Sequence, residues 1–238
     1  MMERIRTYIG GMDDLLEGGI PAGSVMLICG KPGAMKSSLA YSILYKNVIN
    51  ENREGLYVTL EQTPASMLEQ MNALNMPEHK SLTIVSYNDI DDELERSRLD
   101  HRLEQNWIKR ITNYLENIQH GRKNTLLAID SLDGLYSLTK VEMPRREIFL
   151  FFKTLREMGF TTFLISEMKS DSYFTRCGVE DFLADGIIHL DLEYNSDKNA
   201  LALKVGVVKM RATNIGRQYF PLIYRDDSFS IITKPTIP

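Results

Sequence analysis

Residues 24–38 read SVMLICGKPGAMKSS, and the fold turns on this stretch. An apolar run of strand length, Ser24 to Gly30, breaks into a loop of Lys31, Pro32 and Gly33. Ala34, Met35, Lys36, Ser37 and Ser38 then lead into an apolar stripe, Leu39, Ala40, Ile43, Leu44 and Val48, at helical spacing over 36–50. A strand, a glycine-bearing loop and a helix in that order aim backbone N–H groups and the positive end of a helix at one point, which is how a phosphate is held. In such a loop Lys36 bridges β and γ oxygens and the Ser37 hydroxyl ligates Mg²⁺. The pattern G-x-x-x-x-G-K-[ST] has glycine where this chain has Met35. That side chain either crowds the phosphates or points away from the helix start, and the N–H needed there is present with either residue.

Working outward, further apolar runs occur at 55–61 (GLYVTLE), 81–87 (SLTIVSY), 125–130 (TLLAID) and 161–167 (TTFLISE). They are continuous rather than alternating, as strands covered on both faces are. Helix-length segments lie between them: 103–120 with Leu103, Trp107, Ile111, Leu115 and Ile118, and 144–158, opening on Pro144 with Ile148, Phe149, Phe152 and Leu155 on one stripe. The order predicts a mostly parallel α/β sheet flanked by helices. The last third, DGIIHLDLEY, ALALKVGVVKM and YFPLIYRDDSFSII joined by polar loops, predicts an antiparallel β meander at the sheet's edge. The acidic stretch 88–100 reads as a solvated helix start or a mobile excursion. With no repeat and no linker, the 238 residues are expected to form one domain.

Composition removes several classes. Lys and Arg total 28 against 32 Asp and Glu, a net charge of -4, so the chain as a whole does not attract a phosphate backbone. Two cysteines, Cys29 in an apolar run and Cys177 in a loop, make neither a disulfide framework nor a metal cluster and suit a reducing cytoplasm. His79, His101, His120 and His189 are scattered without ligand spacing. The N-terminal residues lack an apolar leader, and the apolar runs fall well short of the roughly 18 residues of a membrane span, so membrane insertion is not expected.

Two carboxylates reinforce the phosphate reading. TLLAID ends in Asp130, placed as an acid that holds Mg²⁺ at the end of a buried strand. GLYVTLE ends in Glu61, followed by Gln62, where a carboxylate could orient and deprotonate an attacking water.

These residues resemble the RecA superfamily and, within it, the single-domain KaiC-like ATPases, which include archaeal paralogs of the recombinase RadA. The resemblance runs through TYIGGMDDLLEGGIPAGSVMLICGKPGAMKSS, YVTLEQTP, LLAIDSLDGL, LISEM, GVEDFLADGIIHL and KMRAT, nearly the whole chain in order. It implies a RecA-like P-loop fold in which the 161–167 strand separates the strands carrying Lys36 and Asp130. It also implies ATP and Mg²⁺ as ligands, held between the subunits of a ring, commonly a hexamer. Matched residue by residue, Glu61 is the general base, Gln62 replaces a second acid, and Lys209 and Arg211 reach the γ-phosphate of a neighbouring subunit's ATP. The histidine that often follows the family's KMRGT is absent here, where Asn214 and Ile215 follow Thr213.

Three uses of the ATP stay open at this stage: a ring ATPase driving a regulatory or signalling change, a recombination accessory protein binding single-stranded DNA, and a nucleotide-held switch with slow turnover, suggested by Met35 and Gln62. For the second, the loops 137–147 (Lys140, Arg145, Arg146) and 168–177 (Lys169, Tyr173, Phe174, Arg176) combine cations with aromatic rings. Trp107, on its helix stripe, reads as core.

Overall fold

The computed structural model describes residues 2–96, 106–119, 125–138, 144–168, 174–175, 178–195 and 199–233. The N-terminal part runs β1 (Arg4–Ile5), α1 (Met12–Leu15), β2 (Ile20–Pro21), β3 (Val25–Gly30), α2 (Lys36–Glu51), β4 (Glu54–Thr59), α3 (Pro64–Asn72), β5 (Leu82–Ser86) and α4 (Tyr87–Arg96). It continues with α5 (Trp107–Gln119), β6 (Thr125–Asp130), α6 (Leu132–Leu138), α7 (Pro144–Glu157), β7 (Thr161–Glu167), α8 (Glu180–Leu183), β8 (Gly186–Asn195), β9 (Ala200–Met210), β10 (Tyr219–Arg225) and β11 (Ser228–Ile231). Nine strands make one sheet in the order β11-β10-β9-β8-β3-β7-β6-β4-β5, with β1 and β2 paired separately. β7 lies between β3 and β6, the arrangement the resemblance implies.

The strands from β8 to β5 in that order pair in parallel, and β8 through β11 pair antiparallel. β8 therefore belongs to both parts: it opens the meander and also extends the parallel sheet alongside β3. Successive side chains of a strand point to opposite faces, and both faces are covered, which is why the runs read as continuous apolar sequence. Met26 and Ile28 of β3 join α2, α3 and the N-terminal segment on one side. Val25, Leu27 and Cys29 join α4, α5, α6 and α7 on the other. Phe152 and Phe163 are fully buried in these two layers, and truncating either to Ala would cost about 3–5 kcal/mol.

Local sequence explains two of the helix boundaries. Thr63 caps α3 by accepting from the Ser66 N–H, with Pro64 at the first helical position. Asn52 ends α2 in the left-handed conformation that asparagine tolerates.

Two helix readings need correction. In α7 the buried set is Ile148, Phe151, Phe152 and Leu155, whereas Phe149, expected on the stripe, is 49% exposed beside Leu150. The consecutive apolar residues IFLFF fit more than one helical stripe, and the sheet selects 148, 151, 152 and 155. In α5, Trp107 is only half-buried, with the Arg110 guanidinium 4.9 Å from its ring and Tyr87 packed edge-on. The acidic stretch is helical as far as Arg96, because Ile90 and Leu94, four residues apart, bury themselves against the α5 side of the sheet. Its remainder, 97–100, lies outside the described residues, as do Leu103, His101, His120 and Cys177.

Candidate functional site

The parallel strands deliver their C-terminal ends to one edge of the sheet, where open α/β sheets bind their ligands. Gly30 pairs with Leu190 on one side and Glu167 on the other, and Thr59 pairs with Asp130. At Gly30 a Cβ would overlap the Leu190 carbonyl oxygen, so glycine is what lets β3 and β8 meet there. The loop beyond it turns through Gly33 at φ 83 and reaches Met35 at φ 59, both left-handed. Glycine suits such a backbone, whereas a side chain there is strained, so Met35 is a departure from the pattern that the backbone registers. Its side chain packs partly against the apolar layer around α2 while the residue still borders the cavity.

That cavity, about 520 Å³, is lined by Pro32 to Ser38, by Glu61 and Gln62, by Asp130 and Ser131, and by Ile165 and Glu167. Its size is in the range of small-molecule and cofactor sites. Lys36 is buried and donates from Nζ to the carbonyls of Gly30 at 3.0 Å and Lys31 at 3.1 Å, so the loop curls around its own ammonium. Burial lowers the Lys36 pKa, against the opposing pull of Glu167, Asp130 and Asp133. An incoming phosphate oxygen offers the ammonium a stronger, charged acceptor.

Asp130 is buried, and its Oδ2 accepts a 2.7 Å hydrogen bond from the Tyr57 hydroxyl. Burial raises the Asp130 pKa, while hydrogen bonds from Tyr57 and Ser37 work the other way. Tyr57, wholly enclosed, is pushed well above the ordinary phenol value by burial and by that carboxylate. Glu61 Oε1 accepts from Ser131 Oγ at 2.7 Å. Gln62 is fixed beside it by hydrogen bonds both to and from Thr59 Oγ1. Asp133 holds the end of β7, its Oδ2 accepting from the Glu167 N–H at 2.8 Å.

As a metal site the donor set is sparse. Among the described residues no group of three or more His, Cys, Asp or Glu is arranged around a common centre. One hydroxyl, Ser37, and one buried carboxylate, Asp130, fit Mg²⁺, which keeps several waters and takes its other ligands from phosphates. They do not fit a transition-metal cage.

Lys209 and Arg211 are elsewhere. β9 runs antiparallel to β8, so Met210 pairs with Gly186, which pairs with Met26 at the start of β3. Four residues of strand, about 13 Å, separate that level from Gly30. Lys209 Nζ donates to the carbonyls of Asp181 at 2.9 Å and Phe182 at 3.1 Å. Arg211 pairs with Asp185 at 2.8 Å and also donates to the Phe182 carbonyl. Burial lowers the Lys209 pKa, with Arg211 adding to the effect. The structure thus gathers Lys36, Ser37, Glu61 and Asp130 around one cavity and leaves Lys209 and Arg211 at the opposite edge of the same sheet. Lys140, Lys169, Tyr173 and Arg176 lie outside the described residues.

The family described as ATPase: KaiC matches residues 5–236. The chain belongs to the KaiC-like ATPases. The KaiC-like protein PH0186 from the hyperthermophilic archaeon Pyrococcus horikoshii OT3 superposes with a TM-score of 0.78 at 27% identity, covering 98% of this chain and 100% of that one. The UPF0273 protein MJ1359 of Methanocaldococcus jannaschii is 32% identical over 225 residues, covering 90% of this chain and 89% of that protein. The circadian clock oscillator protein KaiC of a Picosynechococcus strain is 24% identical over 242 residues, which are 97% of this chain but 44% of the clock protein. This chain spans under half the length of the KaiC clock proteins it matches. KaiC-like family membership supports an ATP-binding function of the RecA type.

Four groups in or behind the cavity escaped the sequence reading: Ser131 and Glu167 line it, and Tyr57 and Asp133 lie buried behind it. Tyr57 sits mid-strand in GLYVTLE and looks like core; Ser131 and Asp133 follow Asp130 in DSLDG, where hydroxyl and acid look like helix-start residues. Glu167 ends its strand as Asp130 does, and that repeated position was the available signal. No described helix is long and apolar enough to cross a membrane.

Proposed function

We propose that this chain is a Mg²⁺-dependent ATP hydrolase whose sites lie between copies of itself in a ring, commonly six, and whose turnover drives a regulatory change of conformation. The observation that carries this reading is the convergence of Lys36, Ser37, Asp130 and Glu61, from three separate chain segments, on one cavity of nucleotide size. Lys36 binds the β- and γ-phosphate oxygens as the loop N–H groups enclose the triphosphate. Ser37 and Asp130 would hold Mg²⁺, which when bound would supply charge neutralisation to the phosphate oxygens as they become more negative.

Glu61 orients a water and takes one of its protons while the water oxygen bonds to the γ-phosphorus. The bond from that phosphorus to the β–γ bridging oxygen breaks, giving ADP and inorganic phosphate. Lys209 and Arg211 of a neighbouring copy meet the charge on the γ oxygens, since their place on the sheet keeps them from their own cavity. Proton transfer to Glu61 does not need the second acid that Gln62 replaces, so its loss affects rate before mechanism.

The test is phosphate release from Mg–ATP over a wide range of protein concentration, with Lys36→Ala as control. Specific activity that rises with concentration and disappears in the control is the expected result. Release at the control's level throughout would reject hydrolysis and leave a nucleotide-binding switch.

A further inference from the structure

We infer that Ser131, through its hydroxyl, is the positioning residue that holds Glu61 over the cavity, with Gly134 providing the space in which it does so. The inference rests on the reading of Glu61 as general base and adds the device that keeps it in place. Glu61 needs such a device, because it lies at the end of β4 among exposed residues, where a glutamate has several solvated rotamers.

The geometry at Ser131 leaves its hydroxyl one direction to donate. Ser131 is 1% exposed, and its Oγ accepts the Gly134 N–H at 3.0 Å, within the first turn of α6. A hydroxyl has a single proton, and with the helix N–H occupying its acceptor side that proton goes to Glu61 Oε1, 2.7 Å away. The bond is charge-assisted, the stronger class of hydrogen bond. The carboxylate tip is therefore anchored to a group that is itself fixed by backbone.

The stem of Glu61 is fixed by contact. A Cβ at Gly134 would stand 3.1 Å from Leu60 Cβ, 3.2 Å from Glu61 Cγ and 3.3 Å from Glu61 Oε1. α6 thus packs on Glu61 as closely as a glycine permits, in a helix where alanine would otherwise be preferred by about 1 kcal/mol in propensity. The backbone under Glu61 is held as well, with the Leu60 N–H donating to the Asp130 carbonyl at 2.7 Å, which continues the β4–β6 ladder to the residue before the glutamate. One short segment, Asp130 to Gly134, accordingly presents the metal-facing carboxylate and orients the base, so the two keep a common frame.

The experiment is a double-mutant cycle in the full chain, read by steady-state kinetics and by binding of a fluorescent ATP analogue. Ser131→Ala should lower kcat on the order of 10-fold and leave KM and nucleotide affinity nearly unchanged, since positioning the base accounts for part of the 10²–10⁴-fold that such catalysis supplies. Ser131→Thr, which keeps the hydroxyl, should restore most of the rate. In a Glu61→Ala background, Ser131→Ala should have no further effect on kcat. Equal losses in both backgrounds, or a wild-type rate in Ser131→Ala, would overturn the inference. Gly134→Ala is the second variant, usable if Ser131→Ala fails to fold: it should reduce kcat without weakening nucleotide binding, and an unchanged kcat counts against the clamp. Failure of the underlying reading is distinguishable, because it appears as a wild-type rate in Glu61→Ala alone.

Discussion

The proposed division of the site between copies can be tested quantitatively by mixing two inactive variants. Arg211→Ala keeps an intact cavity and loses a cation; Glu61→Ala keeps Arg211 and loses the base. In any head-to-tail ring each site draws its cavity from one copy and its cations from the next. With the variants mixed one to one at random, about a quarter of the interfaces pair an intact Glu61 with an intact Arg211 from the neighbour, whatever the ring size. The expected recovery is thus about a quarter of the wild-type rate per site, against parents lowered by roughly 10³-fold or more, the usual scale for a cation meeting a transferring phosphoryl group. The register argues against an in-cis role, since it puts Met210, the residue before Arg211, about 13 Å along the strands from the level of Gly30. The assay is phosphate release by rings co-expressed with two affinity tags and purified through both, so that only mixed assemblies are measured. A rate that stays at the sum of the two parents would refute the trans role of Arg211, and with it the reason given for its position.

Three further outcomes follow from the geometry. Tyr57→Phe removes the donor that holds Asp130 down, so the carboxyl, already raised by burial, rises further, and the acid limb of Mg²⁺-dependent nucleotide binding should move to higher pH; an unmoved limb would show that Tyr57 does not act on Asp130. Asp185 is opposed by burial, yet hydrogen bonds from Arg156, the Val25 N–H and Arg211 take its pKa below the ordinary value, so its contribution is present above the unfolded carboxylate pKa and lost as pH falls through the folded one. Asp185→Ala should therefore cost about 2–3 kcal/mol in urea unfolding at neutral pH and progressively less in acid, and a pH-independent difference would refute the pairing. Met35→Val should be less stable than Met35→Gly by about 1–2 kcal/mol, because a β-branched side chain is poorly tolerated at φ 59, and equal midpoints would show that the loop relaxes.

What the sequence made legible depended on whether one strand or helix carried the signal alone. The P-loop is local: a strand, a loop and a helix contiguous in the chain, so Lys36 and Ser37 could be placed from spacing. The parallel order was legible because burial on both faces turns a strand into an unbroken apolar run. Tyr57 was not legible, since its hydroxyl acquires meaning only when β4 pairs with β6 and brings Asp130 alongside, and nothing local separates it from an ordinary core tyrosine. Ser131 and Asp133 were hidden for the same reason, their partners Glu61 and Glu167 being 70 and 34 residues away. α4 was obscured by charge: Asp89, Asp91, Asp92, Glu93 and Glu95 dominate its composition, and two apolar residues one turn apart were enough to seat it. Phe149 was misplaced because four apolar neighbours leave the helical phase undetermined until the sheet selects it.

The antiparallel return of β9 gives the chain more than a closed sheet edge. Had β9 run parallel to β8, a cation-bearing motif at its end would have arrived at the edge that holds the P-loop, and one copy could have supplied every group around the phosphates. Reversal of the strand instead carries Lys209 and Arg211 to the far edge, beside α8, where Asp185 and the carbonyls of Asp181 and Phe182 hold them. Phe182 itself is 66% exposed at this place, an apolar side chain flanked by two cations whose nearest partners are mostly carbonyl oxygens. If these cations act on a phosphate, the direction of one strand decides that it belongs to another copy, and hydrolysis is then conditional on assembly. The same argument says which change would uncouple the two: a cation introduced at the P-loop edge in place of the half-buried Leu192, whose side chain lies beside Gly33, should allow turnover in the Arg211→Ala protein at dilutions where the native site is idle.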